Sequence, residues 1–403
     1  MDFEIANNVV YVKGKKNGAL YNLNTHEVYS VNREACSIID KLVDNSMEET
    51  LNEIELQYIE KLEENGLYSK NFSVRKYKET PMADTLELVW LEITQGCNMR
   101  CIHCYEGNEH VPARKQLTLH QWKDIIEQIS EIGTQRVVVI GGEPCVNKNL
   151  EEILLTLSKH NLKTTLFTNA SLMSDSLMKI IEENKIDVKI SLYGHCAEVH
   201  DRITKVKGSF DLLMKNMSYL LEHGVNVYLA IVIMKENEMY LDEIQKFVKE
   251  LPVSGYKMDV IRDVLGGTQN QHMPTQKKII DYSFRTCPKF QTSKEKFDLA
   301  HQRNTCWYGK IAISDDGNVM PCVFARNVSY GNVMELTIRE ILQQDMLKKC
   351  WGLIYDDIDG CKECEFRYAC KDCRPVAYAK TGCLTEKNYK CLYNPLEGVW
   401  DER

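Results

Sequence analysis

No run of about 18 uninterrupted apolar residues occurs in this chain, so no segment reads as a membrane span. There is no long basic run either, and the net charge is −8. A protein that neutralises phosphates needs a positive face, so nucleic acid is not an expected partner. Residues 1–12 alternate apolar and polar side chains and are acidic; they lack the basic flank and apolar core of a signal peptide. That absence changes the meaning of sixteen cysteines. Without an export signal they read as metal or redox chemistry in a reducing cytoplasm rather than as disulfides. At 403 residues and 44% apolar content, two or three domains with full cores are expected.

Cys97, Cys101 and Cys104 stand at C-x3-C-x2-C spacing, directly after an apolar run, Leu86–Thr94, that reads as a strand. Four thiolates close a [4Fe–4S] cluster, and soft thiolates select iron–sulfur. Three of them leave one iron open to a small molecule bearing an amine and a carboxylate. A zinc site is the alternative; it wants four ligands, commonly in C-x2-C pairs, and His103 would have to contribute.

From Leu86 to about Val264 strands and helices alternate. Strand-like runs are Leu86–Thr94, Arg136–Ile140, Thr164–Thr168, Asp187–Leu192, Asn226–Met234 and Tyr256–Ile261. Thr118 with Gln121 forms a capping box, and Gly208–His223 is helical up to Gly224. Such alternation predicts a parallel sheet covered by helices, with functional groups at the C-terminal strand ends. The three-cysteine motif, the strand order and the Gly141-Gly142-Glu143-Pro144 turn together resemble the radical S-adenosylmethionine (SAM) superfamily. The resemblance implies a partial (β/α)6 barrel in which the open iron binds SAM and cleavage yields a 5′-deoxyadenosyl radical. It implies SAM contacts from Gly141, Gly142 and Glu143, from Asn169 and Ser191 at strand ends, and from Arg202 toward the cofactor carboxylate. Arg262 is a further inward candidate, and Tyr105 reads as packing that borders the adenine. A small electron-transfer protein, flavodoxin or ferredoxin, is the expected reductant.

The last third carries C-x10-G-x4-C from Cys306 through Gly317 to Cys322, then Cys361, Cys364, Cys370, Cys373 and Cys391. This spacing resembles the SPASM domain, which holds two auxiliary [4Fe–4S] clusters and brings the expected total to three. By that resemblance Cys361, Cys364, Cys370 and Cys391 close auxiliary cluster II. Cys306, Cys322 and Cys373 bind auxiliary cluster I, whose fourth ligand is Cys287, Cys350 or none. Paired zinc ribbons are the alternative. Cys36, Cys145, Cys196 and Cys383 have no assigned role and read as small buried apolar residues. Sulfatase-maturing relatives place an Asp after the second cysteine of the first pair; here it is Val323, which disfavours formylglycine formation.

At the N-terminus, alternation over Phe3–Val12 and a Lys16-Asn17-Gly18 hairpin signal precede short strands at Leu20–Leu23 and Val28–Val31. Helices are expected over Arg33–Asp44 and Met47–Asn65, the second capped by Gly66. This small acidic unit looks winged-helix-like and resembles the recognition element of enzymes that modify ribosomally made precursor peptides. Such elements bind a leader by strand addition. The expected division is residues 1–70 for the leader, a linker at 71–84, a barrel over 85–285 and the SPASM domain over 286–403.

The expected function is a cytoplasmic, α/β radical SAM maturase that forms a Cys thioether in a precursor peptide. Carbon–carbon or carbon–oxygen crosslinking, action on a folded subunit, and a non-catalytic iron–sulfur or zinc scaffold are the alternatives.

Overall fold

The computed structural model describes residues 2–44, 51–105, 116–264, 269–283 and 290–400. The chain divides into two compact units, each drawn from separate stretches of sequence.

The first unit comprises residues 1–83, 284–308 and 351–403. Its strands β1 (Asp2–Ala6), β2 (Val9–Lys13), β3 (Gly18–Asn22) and β4 (Glu27–Val31) are followed by α1 (Arg33–Val43) and α2 (Glu53–Glu64). A short β5 (Arg75–Lys76) then completes an antiparallel sheet in the order β4-β3-β2-β1-β5. The alternation of Phe3–Val12 is broken into a hairpin, because Asn8 adopts φ 59°, a left-handed conformation that Asn tolerates. α2 begins at Glu53, where Asn52 and Glu55 form a capping box, rather than at Met47, which lies outside the described residues. The expected linker contributes β5, which pairs Phe3 with Lys76, and Arg75 bonds Glu4 at 2.8 Å.

Both faces of this sheet are covered. Val9, Tyr11 and Leu20 pack against Ile39, Leu42, Ile59 and Leu62 of the two helices. Val10, Val12, Ala19 and Tyr21 pack on the other side against Phe290, Phe297, Phe366, Tyr368 and Tyr393. The continuous apolar runs of β2 and β3 are the sequence mark of double burial. Residues 1–70, expected as a separate domain, therefore share a core with the cysteine-rich C-terminal stretch.

The second unit comprises residues 84–283 and 309–350. It runs β6 (Leu88–Glu92), α3 (Leu119–Glu131), β7 (Arg136–Ile140), α4 (Leu150–Lys159), β8 (Lys163–Thr168) and α5 (Asp175–Glu183). It continues through β9 (Asp187–Leu192), α6 (Ala197–Thr204), α7 (Ser209–Glu222), β10 (Val227–Ile233), α8 (Leu241–Glu250) and β11 (Gly255–Val260). The six strands pair in parallel and in sequence order, as expected of a (β/α)6 sheet. The sheet does not close. β12 (Lys310–Ile313) adds in parallel beside β6, and β13 (Asn318–Met320) and β14 (Gly331–Asn332) follow antiparallel. Residues 309–350, expected within the SPASM domain, thus extend the barrel sheet.

Alternate residues of these strands, such as Val89, Leu91, Val137, Val139, Leu166, Val188 and Ile190, are fully buried under the helices. The intervening ones, including Trp90, Val138, Phe167, Lys189 and Ser191, are half-buried and share the concave face. Among the described residues no helix is long and apolar enough to cross a membrane.

The shared core of the first unit is testable at Tyr21, whose ring meets Phe297 at 4.9 Å and whose hydroxyl donates to the Glu365 carbonyl at 2.8 Å. Tyr21→Phe should cost about 1 kcal/mol and Tyr21→Ala about 3–5 kcal/mol, read as falling urea midpoints. Equal midpoints for Tyr21→Ala and the parent would refute the shared core.

Candidate active site

The β6 strand delivers the chain into the loop that carries Cys97, Cys101 and Cys104. That loop is held from three sides. Its Arg100 and Ile102 amides donate to the Thr204 and Ile203 carbonyls at the end of α6, at 3.1 and 3.0 Å. The Gln95 amide donates to the Asp315 carboxylate at 3.1 Å. On the third side, the Gly142 and Glu143 amides donate to the Thr94 and Gly96 carbonyls, both at 2.8 Å. A Cβ on Gly141 would lie 2.3 Å from the Thr94 carbonyl oxygen, and one on Gly142 2.4 Å from that of Gly96. Both glycines are required for backbone to pass against backbone. Sequence reasoning foresaw a close approach but expected a ligand on the other side of it.

The Glu143 side chain is buried and accepts from the Asn169 amide at 2.7 Å, the Thr168 hydroxyl at 2.6 Å and the Cys145 amide at 3.1 Å. Burial raises its pKa; the three donors oppose that. Asn169, so anchored, donates through Nδ2 to Asn98 Oδ1 at 2.9 Å, and Asn98 donates to Ser171 Oγ at 2.8 Å. Glu143 and Asn169 are therefore brought together, and Asn98, missed in the sequence, joins them. Its position one residue after Cys97 was the available signal.

Ser191 lies on the concave face, where the Tyr193 hydroxyl reaches it. Tyr193 feels the charge of all three cysteines, and its ring meets that of buried His103 at 4.6 Å. Burial depresses His103 to about 3, which keeps it neutral beside the thiols. Arg202 Nη2 donates to the Glu236 carbonyl at 3.0 Å. Arg262 does face inward, 4.9 Å above the Phe324 ring. The Tyr105 ring also meets Phe324, at 5.0 Å, and its hydroxyl donates to Glu92, which Arg326 holds at 2.6 Å. Neither Glu92 nor Arg326 was singled out from sequence, because each charge is explained only by its partner.

The three thiols influence one another: Cys101 is pushed up to about 12 by burial, then by Cys97 and Cys104, and Cys97 is raised by burial as well. Three such groups become thiolates only beside a strong positive charge, which is what a bound iron–sulfur cluster provides. The same holds in the first unit. Burial pushes Cys361 up to about 12 and raises Cys364, Cys370 and Cys391, and Cys370 feels the other three. Among the described residues no three His, Cys, Asp or Glu side chains stand close enough to close on a single metal ion.

Cys306 lines a shallow recess with Thr305, Tyr355, Asp372 and Arg374. Cys373 precedes the helix Arg374–Thr381, and Cys322 follows β13. Cys350 is buried against the Tyr330 hydroxyl; Cys287 lies outside the described residues. Of the unassigned cysteines only Cys36 is buried. Cys145, Cys196 and Cys383 are half-buried, with Cys145 Sγ 3.6 Å from Thr168 Oγ1 and Cys383 Sγ 3.2 Å from Thr385 Oγ1.

The seam between residues 94–96 and 141–143 gives a test. Gly142→Ala should displace the cysteine loop, so that anaerobically reconstituted protein holds about eight irons instead of about twelve. Unchanged iron content and visible absorption would show that the seam is not needed.

The chain matches the family models of the radical SAM superfamily over residues 91–248 and of an iron–sulfur cluster-binding domain, SPASM, over residues 306–374. It is 28% identical over 271 residues to the antilisterial bacteriocin subtilosin biosynthesis protein AlbA of Bacillus subtilis (strain 168), covering 64% of this chain and 60% of that relative. It is 23% identical over 346 residues to an AdoMet-dependent heme synthase of Methanosarcina barkeri, covering 78% of this chain and 98% of that protein. Among solved structures, Streptococcus suis SuiB bound to precursor peptide SuiA superposes with a TM-score of 0.62 at 18% identity, covering 97% of this chain and all of SuiB. At that identity the likeness is one of fold.

Proposed function

Since this chain belongs to the radical SAM superfamily and carries its SPASM domain, we propose that it is a maturase of a ribosomally made precursor peptide. The observation that carries this reading is the sheet edge at β4. Among the described residues β4 pairs with β3 along its length, while its other side meets only one bridge, Glu27 with Gln291. Such an edge suits a leader added as a further strand. AlbA is a bacteriocin biosynthesis protein, and SuiB was solved with its precursor, which supports a peptide over a porphyrin as substrate.

Cys97, Cys101 and Cys104 hold the SAM-cleaving cluster in this reading. Cys361, Cys364, Cys370 and Cys391 hold one auxiliary cluster, and Cys306, Cys322 and Cys373 the other. The 141–143 backbone, Asn169 and Ser191 border SAM, and Arg202 joins them only by leaving the Glu236 carbonyl. When bound, SAM and its cluster supply a 5′-deoxyadenosyl radical that takes a hydrogen atom from the peptide. The remaining task of the protein is to orient the target carbon and exclude water. Electrons enter from a small carrier such as flavodoxin or ferredoxin.

The product we assign is a Cys thioether: one hydrogen atom would leave the carbon for the 5′-deoxyadenosyl radical, the thiol proton would go to water, and the remaining electron would pass to an auxiliary cluster once bound. Val323 is buried with Ile140, Ala312 and Met320, so position 323 offers no carboxylate base. A thiol ionises near neutrality without one; a hydroxyl does not, which weighs against carbon–oxygen closure.

Two experiments test the reading. Cys97→Ala, Cys101→Ala and Cys104→Ala together should abolish 5′-deoxyadenosine production under reductant; turnover by that triple variant would refute the enzyme. Ser30→Pro removes an N–H from the β4 edge and should weaken binding of the precursor encoded beside the gene by about tenfold. Unaltered fluorescence polarisation with labelled leader would move the docking site elsewhere.

A further inference from the structure

The concave wall built by β8–β11 is unevenly charged. Strand register puts Phe167 level with Lys189, Ser191 level with Ala230, Ala230 level with Lys257, and Val232 level with Asp259. In-register residues of parallel strands share a face, so Lys189, Lys257 and Asp259 all turn to the cavity side, where Arg262 extends the row. Asp259 lies beside two of these cations: Lys257 approaches it at 2.6 Å and Arg262 at 3.5 Å, and they hold its pKa down against burial.

Lys189 is different. Its ammonium lies 5.0 Å above the Phe167 ring and makes no hydrogen bond or ion pair among the described residues. Burial, then Lys257 and Arg262, work against its charge, and only Asp259 supports it. Trp90, Val138, Phe167 and Phe324 make an apolar stretch of the same wall. Three cations thus stand around Asp259, and Lys189, which has neither a hydrogen bond nor an ion pair among the described residues, is the one that burial pushes toward neutrality. A half-buried ammonium is costly unless a counter-ion reaches it.

We propose that this wall is an anion site that takes a carboxylate of the substrate, with Lys189 as its main ligand and Arg262 beside it. The cofactor's own carboxylate is a poorer occupant. Lys189 lies two residues, about 7 Å, below Ser191, toward the N-terminal ends of the strands and away from the cysteine loop. That the carboxylate belongs to a peptide rests on the function proposed above; the anion site does not. An acidic side chain and a C-terminal carboxylate are the two sources.

The test uses the reconstituted, SAM-loaded enzyme and ligand-detected NMR. The probes are N-acetylglutamate N-methylamide against its glutamine counterpart, and N-acetylalanine against its N-methylamide. The parent should bind one acid about tenfold tighter than its neutral partner, the strength of one charge-assisted hydrogen bond, and the acid preferred identifies the source. Lys189→Met should abolish that preference and Lys189→Arg should restore it. Three results would overturn the site: no preference in the parent, preference retained in Lys189→Met, or a loss of SAM affinity in Lys189→Met as large as the loss for the probe. Failure of the peptide reading looks different: an enzyme that still prefers the acid probe yet leaves the precursor unmodified.

Discussion

Backbone passing against backbone at the tops of β6 and β7 fixes the position of everything chemical in the barrel. The parallel ladder between these strands runs on past their ends, through Ile93 to Ile140, Gly142 to Thr94 and Glu143 to Gly96. Only residues without a Cβ fit at 141 and 142. Cys97 therefore leaves the sheet at a determined point. The Glu143 carboxylate turns to the top of β8 and fixes Asn169, and Asn169 returns to Asn98 beside Cys97. Three strand ends are thereby closed into a ring of hydrogen bonds around the base of the loop. Burying Glu143 is unfavourable by itself, and the three donors it receives are what make it tolerable.

The thiols add a second constraint. Each set is crowded enough that its members raise one another's pKa, on top of burial. Crowding of that kind opposes the thiolate and rewards a cationic occupant, so folding and cluster binding are linked. The linkage reaches the N-terminal sheet, because Tyr21 rests on Phe297 and Tyr368 and bonds the Glu365 carbonyl next to Cys364. Removing residues 1–70 exposes that core, so a truncation would report on stability as much as on leader binding. Single substitutions at the β4 edge separate the two effects.

What was legible in the sequence was whatever is written locally. Asp187–Leu192 alternates with period two and is a strand over those same residues; Thr118 with Gln121 caps α3 as expected. The cysteine spacings grouped Cys97 with Cys101 and Cys104, and Cys361 with Cys364, Cys370 and Cys391, and within each of these sets the thiols do act on one another. Contacts made across the fold were not legible. Nothing near Glu92 announces Arg326, and nothing near Glu4 announces Arg75 in a stretch rich in linker-type residues. Arg202 shows the same limit from the other side: its guanidinium donates to a carbonyl from the loop before α8, a partner that nothing near it in sequence announces. Its position on α6 was readable, but the direction of its side chain was not.

Net charge illustrates the same limit. The chain carries −8 overall, which would seem to disfavour an acidic ligand. Charges on the outer surface are screened beyond about 8 Å at physiological salt. Inside the concave wall the screening is weaker and the apolar neighbours lower the local dielectric, so nearby charges act more strongly. Lys189, Lys257 and Arg262 outnumber Asp259 there, whatever the sum elsewhere. An acidic protein can thus present a basic interior. The local field along that wall is set by those few side chains rather than by the total.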